Sequence, residues 1–262
     1  MRFLTYNLRN AGIPEEKHSE IWNGWRFRRD AVVDLINEAD PDVLALQEDS
    51  DEQLKYIGDA LKHSHIAYCD PAFYEADTAY DAVLVRKTIK VCGSGAFWIA
   101  DDGKRQSKID GSICFRHASY VWLELSEAPL LVVNAHLDHA DDPAVKRNEM
   151  QVFTALLNGI AGSPPKRTIV MGDFNSTPDL PPHSIMKKYG LHDAARLQGS
   201  EEATGVHWRK NPAAERIDYI WLSDDLEGKL AGYRLIDGAY RRQDGSPGHA
   251  SDHSAVCAQF DL

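Results

Sequence analysis

The chain lacks the features that mark a membrane protein or a repeat protein. No apolar run approaches the roughly 20 residues that a transmembrane helix needs, so no membrane partner is expected. No linker, low-complexity stretch or internal repeat divides the 262 residues, which predicts one domain over residues 1–262. Met1-Arg2 leads directly into the strand-like residues 3–6 and not into a secretory leader, so a cytoplasmic protein is expected.

Cysteine is too sparse and too scattered to build a disulfide framework or a zinc site. No two of the four cysteines form a C-x-x-C pair; they are Cys69, Cys92, Cys114 and Cys257. We expect reduced thiols that mostly fill the core. Two hydrolase signatures are absent as well. The lack of H-E-x-x-H disfavours a zinc hydrolase, and the lack of G-x-S-x-G disfavours a serine hydrolase.

The chain has few positively charged residues, with 29 Lys and Arg residues against 40 Asp and Glu residues and a formal net charge of −11. A protein that binds duplex DNA needs many Lys or Arg contacts with phosphates. Duplex DNA is therefore not an expected partner, although the composition is compatible with a small, locally basic pocket.

What the sequence does contain is a short apolar strand that ends in polar residues. Residues 168–171, Thr-Ile-Val-Met, form a β-branched and apolar run that predicts a buried strand. The run leads into Gly172, Asp173, Phe174 and Asn175 and cannot continue beyond Pro178. Asp173 and Asn175 point the same way in an extended backbone. Such a strand end is typical of catalytic sites in α/β proteins, and equally of an ordinary strand–turn junction.

The predicted elements are rich in strands with helices interspersed, and they do not alternate as regular βαβ units. Strands are predicted at 2–8, 43–46, 82–85, 95–99, 120–125, 130–135, 168–171, 216–222, 230–236 and 255–260, and helices at 26–39, 50–62, 143–160 and a short segment that ends near Gly190. Several strands are continuous apolar runs, which indicates burial on both faces. The pattern predicts a four-layer α/β (α+β) sandwich with two packed mixed β-sheets flanked by helices.

Polar residues recur at the ends of these apolar strands or in the loops beside them. They are Asn7, Glu48, Asn134, His136, Asp173, Asn175, Asp218, Asp252 and His253. Each position alone has an ordinary explanation as a cap or a turn, but the recurrence favours one shared site. Oxygen ligands with one dominant carboxylate suit Mg²⁺. With imidazoles and a carboxylate that can orient water, they indicate hydrolysis of a phosphate ester.

Short motifs along the chain resemble those of the endonuclease/exonuclease/phosphatase superfamily, which has the deoxyribonuclease-I-like fold. They are Thr5-Tyr6-Asn7-Leu8-Arg9, Leu46-Gln47-Glu48, Asn134-Ala135-His136-Leu137-Asp138-His139, Gly172-Asp173-Phe174-Asn175, Arg216-Ile217-Asp218-Tyr219-Ile220 and Ser251-Asp252-His253. The resemblance spans almost the whole chain. The His-Leu-Asp-His variant, together with Trp25 and residues 28–29 and 94–98, is similar to a bacterial subgroup near the deadenylase-like branch, whose substrates are poorly defined.

The resemblance implies a metal site and its ligands. Glu48 is the expected principal ligand of Mg²⁺ or Mn²⁺, with Asn7 beside it and Asp252 near the same cation. The sequence departs from the family at one point. The family often has a glutamate or tyrosine that supports the first histidine or contacts phosphate, and here either Tyr80 or Asp81 could take that place.

The resemblance also implies the catalytic roles. Asp173 is expected to orient or deprotonate the attacking water, while Asn175 and His136 hold phosphate oxygens. Asp218 is expected to hydrogen-bond to His253 and fix its ring, so that His253 stabilises the charged transition state. Whether Asp173 or His253 is the base stays open at this point.

Residues outside these motifs are candidates for substrate contact. They are Trp25, Arg28, Arg116 and His207. Trp25 lies beside a long loop that follows Asn7, and such loops often set specificity; alternatively, the tryptophan caps the core. Arg28 either reaches a second phosphate or pairs with surface carboxylates. Arg116 precedes a predicted strand, and His207 lies in the loop before the strand of Asp218.

The sequence favours a small phosphorylated metabolite or nucleotide as the substrate, because the net charge disfavours duplex DNA. A nuclease for short single strands is the main enzyme alternative, since Trp22, Trp25 or Trp208 could stack on bases. A sphingomyelinase-like lipid hydrolase has less support, because no apolar hairpin is found. A non-catalytic binding module on the same fold is the alternative from another class, although such a module would be expected to have lost at least one catalytic residue. The oligomeric state is left open.

Overall fold

The computed structural model describes residues 1–12, 22–73, 79–206, 208 and 214–262. Its strands are β1 (Arg2–Asn7), β2 (Val43–Gln47), β3 (His65–Tyr68), β4 (Val83–Arg86), β5 (Val91–Trp98), β6 (His117–Leu123), β7 (Leu130–His136), β8 (Thr168–Asp173), β9 (Leu191–Asp193), β10 (Asp218–Ser223), β11 (Leu230–Ile236), β12 (Ala239–Arg241), β13 (Pro247–His249) and β14 (Ala255–Phe260). Its α-helices are α1 (Trp25–Ala39), α2 (Asp51–Leu61), α3 (Pro143–Ala161), α4 (Pro181–Tyr189) and α5 (Ala194–Leu197). Within these described ranges, no helix has both the length and the apolar character that a bilayer crossing requires.

The strands form two six-stranded mixed sheets and one short hairpin. The first sheet has the order β11-β14-β1-β2-β4-β3, and the second has the order β5-β6-β7-β8-β10-β9. Each sheet contains one parallel pair near its centre, β1 with β2 and β7 with β8. The other neighbours are antiparallel, and β12 pairs with β13.

Alternation along the strands divides the apolar side chains between a central core and two outer ones. In β7, Val132 packs into the core between the sheets together with Ile169 of β8. Its neighbours Leu131 and Val133 face the other way and pack with Phe153 of α3. The outer face of the first sheet packs in the same manner against α1 and α2. Both faces of the central strands are buried, and the predicted four-layer sandwich of two mixed sheets flanked by helices is confirmed.

Several predicted boundaries differ from the observed ones for local reasons. Helix α1 ends at Ala39 as predicted, because Asp40 adopts a left-handed backbone with φ of 46° and donates its N–H to Ile36 O. The strand predicted at 216–222 begins only at Asp218, because the N–H groups of Ile217 and Asp218 both donate to Thr204 Oγ1. The elements β3, β9, β12, β13 and α5 were not predicted, since segments of three or four residues carry too little periodicity to identify.

The second sheet places three chemically active side chains in one row. His136 at the end of β7 lies directly opposite Asp173 at the end of β8. Asp218 at the start of β10 lies opposite Asp173 on the other side. Residues that face each other across neighbouring strands point to the same side of a sheet. The register of three strands therefore assembles this part of the site.

Gly172 permits an unusually close approach between β7 and β8. Its φ is +144°, and a Cβ atom at this position would lie 1.9 Å from the carbonyl oxygen of Ala135. Only glycine can occupy such a position without moving the backbone. The close approach fixes Asp173, the next residue, relative to His136.

We expect Gly172→Ala to lower the free energy of unfolding by about 2–4 kcal/mol, because the added methyl group forces the two strands apart. Urea unfolding would measure the loss. The control is Gly159→Ala on the exposed face of α3, where a Cβ meets nothing within 4 Å. That change should be neutral or stabilise the helix by up to about 1 kcal/mol. Equal stability of Gly172→Ala and the unchanged protein would contradict the expectation.

Candidate active site

Asp173 is the centre of the polar cluster at the strand ends. Its carboxylate is buried, where Oδ2 accepts a hydrogen bond from Asn7 Nδ2 at 2.9 Å and Oδ1 accepts one from the backbone N–H of Asn175 at 2.8 Å. Burial, followed by the negative charge of Asp218, raises the pKa of Asp173 to about 7. A carboxyl group with such a pKa can take up a proton near neutral pH.

His253 is held by Asp218 in the charged form. Its Nδ1 lies 2.9 Å from Asp218 Oδ2, and its Nε2 lies 3.8 Å from Asp173 Oδ2. Burial by itself lowers the pKa of His253, but the charge and the hydrogen bond of Asp218 outweigh burial and raise the pKa well above its ordinary value. The ring is therefore an imidazolium at neutral pH, with Nε2–H directed toward Asp173.

His136 has the opposite charge state. Its Nδ1 lies 3.1 Å from Arg116 Nη1, while its Nε2 lies 3.1 Å from Asn175 Nδ2 and 3.6 Å from Asp173 Oδ2. Burial, followed by the positive charge of Arg116, lowers the pKa of His136 well below its ordinary value. One neutral and one charged imidazole thus flank the same carboxylate.

These side chains open into one cavity of about 550 Å³. Of the candidate site residues named from the sequence, it is lined by Glu48, Asp81, Arg116, His136, Asp173, Asn175, Asp252 and His253. Asn7 and Asp218 do not line it, but they hydrogen-bond to residues that do. Asn134 is not a site residue, because its amide links the two sheets through Leu46 O and Gln47 Nε2.

Two of the three predicted metal ligands, Glu48 and Asp252, line this cavity. Glu48 accepts hydrogen bonds from Asn7 Nδ2 at 3.0 Å and from the backbone N–H of Asn10 at 2.7 Å. In the part of the chain that is described, no lysine or arginine forms an ion pair with Glu48. Asp252 lies 3.7 Å from the guanidinium of Arg9, and Asp81 adds a buried carboxyl oxygen without a hydrogen-bond partner.

This donor set fits a hard divalent cation. Carboxylate oxygens in excess of nearby positive charge are what Mg²⁺ or Mn²⁺ binds. The contacts of Asn7 differ from those expected of a metal ligand. Its amide nitrogen holds Glu48 and Asp173, and its Oδ1, the atom that could bind a cation, accepts the N–H of Arg9. A buried cluster of Asp173, Asp218 and His253 also brings potential ligand atoms within 4.8 Å of one another.

The residues expected to contact substrate do not all lie at the cavity. Arg116 lines the cavity. Arg28 does not line it. Its buried guanidinium donates to the carbonyl oxygens of Asn23 at 2.7 Å, Ala250 at 2.9 Å and Leu8, because backbone carbonyls converge beneath helix α1. Trp25 is buried beside it and packs edge-on against Tyr56, so it fills the core. His207 lies outside the described residues.

The contact at His136 Nδ1 comes from a residue that the sequence analysis had named only as a candidate for substrate contact. Arg116 Nη1 lies 3.1 Å from this nitrogen. The hydroxyl of Tyr80 donates to Asp51 at 2.6 Å, and Asp81 lies 3.8 Å from His117. The choice between Tyr80 and Asp81 as a supporting residue stays a prediction.

Further cavity residues had no role assigned to them in the sequence analysis. They include Arg9, Asn10, Gly12, Ala79, Phe115 and His117. Arg9 could have been found because it follows Asn7 so closely that the end of β1 brings both to the same edge. Phe115 flanks Arg116 in the same way. Gly12 and Ala79 carry no chemical signal, since their small side chains shape the wall without reacting.

The amino-acid sequence matches a family model over most of its length. The model of the Endonuclease/Exonuclease/phosphatase family aligns with residues 4–253. The chain belongs to the endonuclease/exonuclease/phosphatase family. The match runs from β1 to His253 and confirms the resemblance that the sequence motifs indicated.

Solved structures show the family fold. A family member from Bacteroides thetaiotaomicron has a TM-score of 0.82 at 21% identity, covering 100% of this chain and 98% of its own. A mannosyl-6-phosphatase from Bacteroides thetaiotaomicron VPI-5482 has a TM-score of 0.80 at 20% identity, covering 100% of both chains. A truncated Caenorhabditis elegans TDP2 has a TM-score of 0.72 at 19% identity, covering 99% of this chain and 96% of its own. At these identities the likeness shows the fold alone. No curated protein matches the chain.

We expect Glu48→Gln to abolish or strongly weaken the binding of Mg²⁺ and Mn²⁺ while the fold stays intact, because the amide removes a charge that no lysine or arginine of the described residues offsets by an ion pair. Calorimetric titration of the metal would measure the loss. The matched control is Glu52→Gln in the exposed first turn of α2, which changes the net charge equally and should leave affinity unchanged. Unchanged affinity in Glu48→Gln would remove Glu48 from the metal site.

Proposed function

We propose that this protein is a divalent-metal-dependent phosphoesterase that hydrolyses a small phosphate ester by in-line attack of an activated water. The observation that carries the proposal is the convergence on Asp173 of one charged and one neutral histidine, in a cavity that also holds Glu48 and Asp252. An activated carboxylate, cationic and neutral hydrogen-bond donors and a cation site are the parts that phosphoryl transfer requires.

Asp173 is the general base in this proposal. Its pKa of about 7 suits a group that orients a water and takes its proton near neutral pH. His253 is less suited to that role, because Asp218 keeps its ring protonated. The difference between the two environments supports Asp173 over His253, the choice that the sequence left open.

The remaining side chains bind and stabilise the phosphoryl group. The imidazolium of His253 donates to a phosphoryl oxygen and offsets the negative charge that grows in the transition state. Asp218 keeps the ring charged and oriented. Asn175 and His136 hold phosphoryl oxygens from the other side of Asp173. Glu48 and Asp252 would hold the Mg²⁺ or Mn²⁺, with Asn7 in support, and a bound cation would polarise the phosphoryl group as a Lewis acid.

The size and charge of the site favour a small phosphorylated metabolite or nucleotide. A cavity of about 550 Å³ lies in the range of small-molecule sites, and the net charge of −11 opposes the approach of a long polyanion. One protein of the same fold is named a mannosyl-6-phosphatase, which makes sugar phosphates a first class to test. Arg116 gives this cavity a fixed positive charge next to His136.

A nuclease for short single strands is the second candidate, and the aromatic residues give it less support. Base stacking needs exposed aromatic faces beside the site. Trp25 is buried, Trp22 packs on Phe27, and the ring of Trp208 lies 5.5 Å from the guanidinium of Arg28. Phe115 does line the cavity and could hold one base. A non-catalytic binding module is opposed by the complete set of catalytic side chains around Asp173.

We expect kcat/KM on a small phosphate ester to change only a few-fold between about 50 and 200 mM salt at fixed free Mg²⁺. A pocket enzyme binds one or two phosphates, whereas a nuclease that tracks a strand loses affinity with a slope of about −0.7 per phosphate contact. The assay would compare sugar phosphates, nucleotides, short RNA and DNA, and plasmid. Plasmid and duplex DNA should be poor substrates. Efficient nicking of plasmid at low enzyme, with a drop of about a hundredfold over this salt range, would move the nuclease to first place.

We expect Asp218→Asn and His253→Gln each to lower kcat by roughly 10²–10⁴, and the double variant to lose little more than either one. The two residues act as a unit, because the asparagine no longer holds the imidazolium that His253 must present. The matched control is His183→Gln, which breaks another buried histidine–aspartate contact, with Asp193 at 3.2 Å, outside the cavity; kcat should stay within about twofold. Strictly additive losses would show that Asp218 and His253 work independently.

A further inference from the structure

The contact between Arg116 and His136 restricts which nitrogen of the histidine can carry a proton. Arg116 Nη1 lies 3.1 Å from His136 Nδ1. A guanidinium has N–H donors and no acceptor, and it stays charged in proteins. His136 Nδ1 must therefore accept this hydrogen bond, which requires it to be the unprotonated nitrogen of the ring.

The other nitrogen then carries the single proton of a neutral imidazole. An imidazolium would set an N–H against the guanidinium N–H, with two positive charges in contact. The surroundings of His136 also oppose a second proton, since Arg116, His253, His139 and His117 all lower its pKa in addition to burial. His136 is thus held as the tautomer with its proton on Nε2.

Nε2–H of His136 points to a place where a second donor already lies. Asn175 Nδ2 is 3.1 Å away, and its amide group is oriented by a 2.9 Å hydrogen bond to Leu137 O. Asp173 Oδ2 lies 3.6 Å from Nε2, which is beyond good hydrogen-bond length. Among the described residues no acceptor is shown between Nε2–H and the second N–H of the Asn175 amide, and two donors that converge in this way form a receptor for an anionic oxygen.

Asp138 lies beside Arg116 and organises the loop that carries it. The buried carboxylate of Asp138 accepts the backbone N–H groups of Ile113, Cys114 and Ala140 at distances of 2.7–3.1 Å. Its Oδ2 also lies 3.9 Å from Arg116 Nε. The loop that carries Arg116 is thereby tied to the loop that follows His136. The other arginine of the cavity, Arg9, pairs with Asp252 and has no recorded contact with His136.

We propose that Arg116 is a positioning residue that fixes His136 as a neutral Nε2–H donor, so that His136 and Asn175 together bind one phosphoryl oxygen of the substrate. The catalytic consequence rests on the proposed phosphoesterase function, whereas the tautomer does not. In this assignment His136 contributes a hydrogen bond and exchanges no proton during the reaction. Arg116 acts through His136 and not as a direct clamp on the substrate.

The first experiment is ¹⁵N NMR of the histidine rings in the metal-free protein at neutral pH. His136 is identified by the signal that His136→Gln removes. We expect protonation at Nε2 alone in the unchanged protein and in Arg116→Lys, which keeps a donor without an acceptor. In Arg116→Glu the new carboxylate accepts from Nδ1, so Nδ1 should become protonated. Arg9→Met is the control, because it removes the other cavity guanidinium and should leave the spectrum of His136 unchanged.

Either of two spectra would overturn the assignment. One is an Nδ1-protonated or fully protonated His136 in the unchanged protein. The other is an identical His136 signature in Arg116→Glu and the unchanged protein, with the remaining histidine signals showing a folded chain. Neither readout depends on activity, so the result stands whether or not the protein proves to be a phosphoesterase.

The second experiment is a double-mutant cycle on kcat/KM with the best substrate of the phosphate-ester screen. Arg116→Met should lower kcat/KM by about 10²-fold, the usual loss for one donor to a charged oxygen. In the His136→Gln background it should cost less than about threefold more, because its partner is already gone. Arg9→Met should have the same effect in both backgrounds. Fully additive losses for Arg116 and His136 would mean that Arg116 contacts the substrate itself and would overturn the positioning role.

Discussion

The burial of the Asp173 carboxylate is the constraint on which the site depends. A carboxylate taken out of water needs hydrogen-bond donors or a nearby positive charge to remain ionised. Asn7, the backbone of Asn175 and His253 supply them, and they come from three separated parts of the chain. Asp218, directly opposite across the strands, adds negative charge. The balance leaves the Asp173 pKa near neutrality, where a base is useful.

The two histidines beside Asp173 differ in charge state because each has a different hydrogen-bond neighbour. The neighbour of His253 is an acceptor, Asp218, which favours the charged ring. The neighbour of His136 is a donor, Arg116, which favours the neutral ring. Residue type cannot explain why the two histidines differ in charge, and the two side chains are buried to a similar extent. Their chemistry is therefore decided by the hydrogen bond at Nδ1 of each ring.

Both signs of charge border the cavity of this acidic protein. The chain carries a net charge of −11, and the cavity is lined by Arg9, Arg116 and His253 together with Glu48, Asp81, Asp173 and Asp252. Over distances beyond the Debye length of about 8 Å, salt screens the surface charges, whereas partly buried groups act at short range. A small phosphate that reaches the cavity can contact its cations directly, while the net negative charge of the chain opposes a long polyanion.

The sequence by itself determined the layers of the fold and most of the polar strand ends. Continuous apolar runs with polar residues at their ends identify buried strands and the edge at which chemistry is placed, so Glu48, Asp173, Asp252 and His253 could be found from local pattern alone. Only the tertiary structure decided which side chains meet. The sequence made Arg28 and Arg116 equally good candidates for substrate contact. In the structure, Arg28 lies buried among backbone carbonyls and Arg116 borders the cavity. The Asp218–His253 hydrogen bond was expected only because of the family resemblance. The physical reason is that local periodicity reports which face of an element is buried, whereas hydrogen-bond partners such as Arg116 and His136 depend on strand register and loop packing between distant parts of the chain.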